Sequence, residues 1–147
     1  MKKYFFVLGM ALCMCIVAIA QKSTVFIKND AAINGYDAVA YFTESKPVKG
    51  NKQLSYRWMN ADWYFSSRQN LDLFKASPDK YAPQYGGYCA YGCSRGYKAS
   101  TEPDAWTIIN NKLYLNYNTD VKETWLKDKA NFIQKADKNW PSVKAKE

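Results

Sequence analysis

Two cysteines four residues apart, Cys89 and Cys93, are the side chains in this sequence best suited to chemistry. They stand in Tyr88-Cys89-Ala90-Tyr91-Gly92-Cys93, a segment rich in glycine and tyrosine. On a helix, residues at this spacing hold their β-carbons about 5–6 Å apart. That is wider than the ~3.8 Å of a relaxed disulfide. Two sulfurs on one helical face could converge instead on a soft ion such as Cu(I), which thiolates favour. If Gly92 interrupts the helix, a small disulfide loop becomes accessible; a third reading makes each cysteine a small buried hydrophobe. The residues alone leave these three open. Zinc would need further ligands to reach four, and C-x3-C departs from the C-x2-C spacing of thiol oxidoreductases.

The rest of the chemistry is bounded by an absence. The 147 residues include no histidine, which excludes Ser-His-Asp triads, Cys-His dyads and every histidine-based metal centre. There is no phosphate loop and no GxSxG. Asp120 and Glu123 fall at a helix start, where capping accounts for them. The sequence therefore predicts a protein that is not an enzyme. Tyr81, Tyr85, Tyr88, Tyr91 and Tyr97 surround the thiols, near Lys80, Arg95 and Lys98. They read either as a ligand pocket with cationic tips or as core bulk with hydroxyls turned to the surface, the second being the commoner use of tyrosine. The lysines are scattered rather than gathered in a run, so no nucleic-acid partner is expected.

The elements that must position these residues read as a single α+β domain of short antiparallel strands with packed helices. Thr24 to Lys28 alternates as a strand, and Asp37 to Phe42 is a compact apolar unit suited to a helical turn. Ser45 to Lys52 is a polar loop. Leu54–Met59 and Trp63–Ser66 form a hairpin across 60–62. Ser66 or Ser67 caps a helix to about Ala76, ended by Ser77-Pro78. A constrained turn over 81–87 delivers the chain to the thiols. Trp106–Asn110 and Lys112–Tyr117 form a second hairpin about Asn110-Asn111. Last comes a long helix capped at 118–120, with Val121, Trp125, Phe132, Ala136 and Trp140 on one face. Pro141 is expected to stop it, and the tail from Lys144 to be loose.

The N-terminus reads as a secretory leader. Met1-Lys2-Lys3 precedes an apolar run from Tyr4 to Ala20, which closes on Ala18-Ile19-Ala20 before Gln21. A basic start, an apolar stretch and a small-x-small site are the parts of a signal peptide over 1–20. The same run lies at the lower limit for an uncleaved anchor. Cys13 and Cys15 follow Leu12 and Met14 rather than the small residue a lipoprotein signal places there. No twin-arginine pair is present, so export unfolded, by a Sec-type route to the periplasm or beyond, is expected. Cleavage would leave the domain at 21–143 with its tail at 144–147, without stable membrane insertion. The formal net charge of +8 would fall to +6 with Lys2 and Lys3 removed, and Cys89 and Cys93 would be the remaining thiols, in a compartment that permits disulfides.

The middle of the chain resembles the YHS domain family, which is related to TRASH-type metal-binding domains. The resemblance is carried by Gly35-Tyr36-Asp37-Ala38-Val39-Ala40-Tyr41-Phe42, by Trp63-Tyr64-Phe65-Ser66-Ser67 and by Phe74 through Tyr81. The segments 82–91, 112–118 and 139–141 are similar to exported bacterial members, so the likeness runs from about Ile33 to Pro141. It implies metal binding of a copper type. In metal-binding members one cysteine sits in the first motif and two follow the aromatic strand as F-C-x-x-x-C. The matching positions here are Ala40, Ser66 and Asn70. The expectation is therefore a non-enzymatic exported protein whose partner is a soft metal ion, held as a copper cofactor by Cys89 and Cys93. The alternative is a metal-free binding module for a small ligand or protein, with structural or disulfide-linked cysteines.

Overall fold

The computed structural model describes residues 23–146, and the predicted leader over 1–20 lies outside them. Three antiparallel hairpins set the frame: β1 Ile27–Lys28 with β2 Ala31–Ala32, β3 Asn51–Trp58 with β4 Ala61–Phe65, and β5 Trp106–Ile109 with β6 Lys112–Leu115. Each closes through two residues in the left-handed region: Asn29-Asp30 (φ 53°, 62°), Met59-Asn60 (53°, 57°) and Asn110-Asn111 (51°, 59°). Two positive φ values in succession match the right-handed twist of the flanking strands. Asparagine tolerates that conformation better than most residues, and every one of these turns contains it.

Among the described residues six α-helices complete the α+β domain: α1 Ala40–Thr43, α2 Arg68–Ala76, α3 Pro78–Tyr81, α4 Ala90–Ser94, α5 Thr119–Leu126 and α6 Lys129–Val143. The expected strand over 24–28 shortens to Ile27–Lys28, because Val25 and Phe26 are buried without joining a ladder. Asn51 and Lys52 belong to β3 rather than to the preceding loop, and Ala61 and Asp62 to β4 rather than to the connection. The C-terminal helical face is divided: α5 ends at Leu126, and Asp128, with an extended φ of −146°, starts α6 anew. Pro141 lies inside α6, which continues to Val143; a proline so near the end removes just one intrahelical N–H. The segment after Val143 is tied down, since Lys98 Nζ donates to the carbonyls of Lys144 (3.1 Å) and Lys146 (2.8 Å).

The interior forms two apolar clusters. The first gathers Val39, Tyr41, Trp63, Phe65, Leu71, Phe74, Leu113 and Leu115. The second gathers Tyr85, Ala90, Cys93, Tyr114, Trp125, Ala136 and Val143. Strand β6 divides them, because its side chains alternate: Leu113 and Leu115 face the first cluster and Tyr114 the second. Phe74 is the hub of the first. Its ring meets Trp63 at 5.1 Å, Phe65 at 5.0 Å, Trp58 at 5.7 Å and Tyr56 at 6.3 Å between centroids.

Truncation at that hub leaves a cavity among rings that have no freedom to collapse. Phe74→Ala is expected to cost about 3–5 kcal/mol and Phe74→Leu less than about 1.5 kcal/mol. Urea unfolding followed by tryptophan fluorescence reads both; equal losses in the two variants would contradict this packing.

Candidate functional site

The positions that the sequence singles out fall in two places. Cys89 is the N-cap of α4, and Cys93 lies within the same helix, so Gly92 does not interrupt it. Gly92 instead lets the helix lie against Tyr97, whose ring and carbonyl a β-carbon there would crowd. Both cysteines are free thiols, and the disulfide reading is not met. They are shut away, Cys89 at 1% exposure and Cys93 at 0%.

The Cys89 sulfur has a defined structural task. It accepts N–H bonds from Gly92 (3.4 Å) and Tyr117 (3.2 Å), and its S–H donates to Asn116 Oδ1 (3.6 Å). Asn116 is fully buried, and its Oδ1 also takes the Tyr91 N–H at 3.1 Å. A thiol thus stitches α4 to the end of β6. Burial raises the Cys89 pKa, although the N–H bonds from Gly92 and Tyr117 oppose the rise by favouring the charged form. Cys93 is pushed up to about 12, chiefly by burial and then by the neighbouring Cys89, while Lys98 pulls the other way. As folded, the pair is protonated and sealed. Among the described residues, no group of three or more His, Cys, Asp or Glu side chains is placed to hold a metal ion.

The tyrosines around the thiols act mainly as core bulk. Tyr85 packs on Tyr114 and Trp140 and donates its hydroxyl to Asp137 Oδ1 at 2.8 Å. Burial and that carboxylate both raise its pKa. Tyr91 meets Phe132 edge-on, and Tyr97 is half exposed. Lys80 and Lys98 lie over the rings of Tyr81 and Tyr88, at 5.1 and 5.2 Å from the centroids.

The second place holds the positions that the family resemblance matches to thiol ligands. Ala40, Ser66 and Asn70 come together here around the carboxylate of Asp37, which is 0% exposed. Oδ1 accepts the backbone N–H groups of Val39 (2.9 Å) and Ala40 (3.2 Å). Oδ2 accepts the Ser66 N–H (2.8 Å), the Ser66 hydroxyl (2.7 Å) and Asn70 Nδ2 (2.8 Å). Ser67, not Ser66, caps α2, by taking the Asn70 N–H at 3.1 Å. An open groove of about 450 Å³ runs beside this network, walled by Thr43, Glu44, Val48, Gln69 and Leu73. The donor set is a carboxylate already saturated by N–H and O–H groups. It does not fit a soft metal ion, which selects thiolate or imidazole.

Sequence reasoning did not find Asp37 or Asn116. The signal for Asp37 is a lone acid opening the apolar run Asp37-Ala38-Val39-Ala40, the pattern of a side chain that caps the turn it precedes.

The thiols carry a testable pH dependence. A group whose folded pKa is raised contributes stability in full below its unfolded pKa and loses it as pH climbs to the folded value. For Cys93 that window runs from 9.0 to about 12. Denaturant stability should therefore fall less steeply across this window in Cys93→Ala than in the parent, and native thiols should resist alkylation at pH 8. Parallel slopes in the two proteins would show that Cys93 is not held in its neutral form.

Residues 39–85 match the family model for the YHS domain. Comparison with curated proteins and with solved structures gave no match. The matched segment contains α1, the β3–β4 hairpin, α2 and α3, and with them Ala40, Ser66 and Asn70; Cys89 and Cys93 fall beyond it. The likeness to the YHS domain, a domain of the metal-binding type, thus rests on residues 39–85.

Proposed function

We propose that this chain is an exported, non-enzymatic binding protein that uses the YHS scaffold without a resident metal. Its cysteines serve as capping and packing groups, and the groove beside Ser66 and Asn70 is the surface offered to a small polar ligand or a protein segment. The observation that carries this reading is the engagement of the Cys89 sulfur, buried and bonded to Gly92, Tyr117 and Asn116. A sulfur in that position works as a serine would at a helix N-cap. Export rests on the leader pattern over 1–20.

A second reading keeps the metal: a soft ion of the copper(I) kind held by Cys89 and Cys93. One observation favours it. The buried amide of Asn116 bonds the Cys89 sulfur through Oδ1, while its Nδ2 finds no acceptor among the described residues. An unspent buried donor costs about 1–3 kcal/mol; a thiolate formed at Cys89 by metal binding would accept from Nδ2 once the amide turned over, at the expense of the Tyr91 N–H bond to Oδ1.

Conservative substitution separates the two. Purified protein is assayed for metal content, for thiols alkylated before and after unfolding, and for stability in Cys89→Ser and Cys89→Ala. The first reading expects substoichiometric metal, two thiols reactive after unfolding alone, and a serine variant within about 1 kcal/mol of the parent. Alanine, which abandons two N–H groups, should lose about 1–3 kcal/mol. Stoichiometric copper, lost equally in both variants, would overturn it in favour of the second.

A further inference from the structure

The network around Asp37 has the form of a cross-link. In a domain of the metal-binding type, an ion joins chain segments that have no other strong reason to meet. Here three segments meet at one carboxylate: the turn entering α1 through Val39 and Ala40, the end of β4 through Ser66, and the first turn of α2 through Asn70. All five contacts come from donors, and four of them come from Ala40, Ser66 and Asn70, the positions that the family resemblance matches to ligands. Asp37 is itself fixed from behind, since its own N–H donates to the Val48 carbonyl at 2.8 Å.

We propose that the Asp37 carboxylate takes over the cross-linking task of the metal at this position, so that the YHS segment of this chain folds and stays folded independently of any ion there. The roles are inverted: an anion at the centre is surrounded by donors, where a cation would be surrounded by electron-pair ligands. Each oxygen is matched to its side, Oδ1 to the backbone of α1 and Oδ2 to Ser66 and Asn70. Substituting one oxygen by NH2 sets a donor against donors, so Asp37→Asn disrupts the centre although its size is unchanged. This inference does not rest on the reading of Cys89 and Cys93, which lie outside the matched segment.

Thermal unfolding of the purified protein tests it, with Asp37→Asn, Ser66→Ala and the exchanged pair Asp37→Asn with Asn70→Asp, each in chelator, in Zn(II) and in Cu(I) under reducing conditions. Asp37→Asn should lower Tm by about 10 °C or more, and Ser66→Ala by about 4–8 °C, because the Ser66 N–H still bonds. The exchanged pair should recover part of the loss, since the amide now at position 37 can donate to the carboxylate at position 70; a merely structural loss of packing would show no recovery. If Asp37→Asn fails to fold, Ser66→Ala and Asn70→Ala carry the comparison. Two results would overturn the proposal. One is an Asp37→Asn protein within about 2 °C of the parent. The other is a metal-induced rise in Tm that persists in Cys89→Ser but vanishes in Ser66→Ala, which would make the centre a metal site.

Discussion

Five donors aimed at one buried carboxylate oblige the entry to α1, the end of β4 and the start of α2 to meet at a point. Much of the first cluster follows from that meeting. With its first turn held at Asn70, α2 lies across the β3–β4 hairpin so that Leu71 and Phe74 enter the core. Phe74 then reaches the rings of Trp58, Trp63 and Phe65. The centre behaves as a unit for an electrostatic reason. A carboxylate taken from water is costly unless its lone pairs are matched, so a partly assembled network is worse than none. The penalty for misplacing any one segment is thereby shared by all three, which gives a small domain a well-defined arrangement where apolar packing alone would tolerate several.

Strand β6 is the second constraint, and it separates the two loci. Its alternating side chains let one short strand serve both clusters, Leu113 and Leu115 on one face and Tyr114 on the other. The YHS segment supplies most of the first cluster, while Cys93 belongs to the second, to which α4, α5 and α6 contribute. Cys89 is the stitch between the second cluster and the strand, through Asn116 and Tyr117. A change in the protonation of that sulfur would be felt first where α4 meets the end of β6.

The framework was legible because its signals are local. Both longer hairpins, the Ser67-capped α2 and the amphipathic C-terminal face follow from period, caps and turn residues. The misjudged places depend on tertiary context. Val25 and Phe26 have strand character yet are buried without a ladder partner, and the helix break at Asp128 has no proline or glycine to announce it. The site was half legible. Cys89 and Cys93 are conspicuous by type, and Ala40, Ser66 and Asn70 by what they replace. That Asp37 binds the latter three together is a relation between residues up to 33 positions apart, which composition and spacing do not encode.

The two loci solve one problem by opposite means. An exposed thiol in an oxidising compartment reacts as its thiolate, at a rate set by exposure and pKa. Burial of Cys89 and Cys93 closes off both routes, by hiding the sulfurs and by raising their pKa. At the other locus, serine and asparagine stand where thiols would be liable to oxidation, and a carboxylate indifferent to redox chemistry joins the segments. Each arrangement removes a dependence, on an ion in one case and on redox poise in the other. Beside the Asp37 network, the groove along Thr43, Glu44, Gln69 and Leu73 is accessible. Its floor is held rigid by the Asp37 network, so a ligand there would meet hydrogen-bonding groups already oriented and would lose little to ordering them.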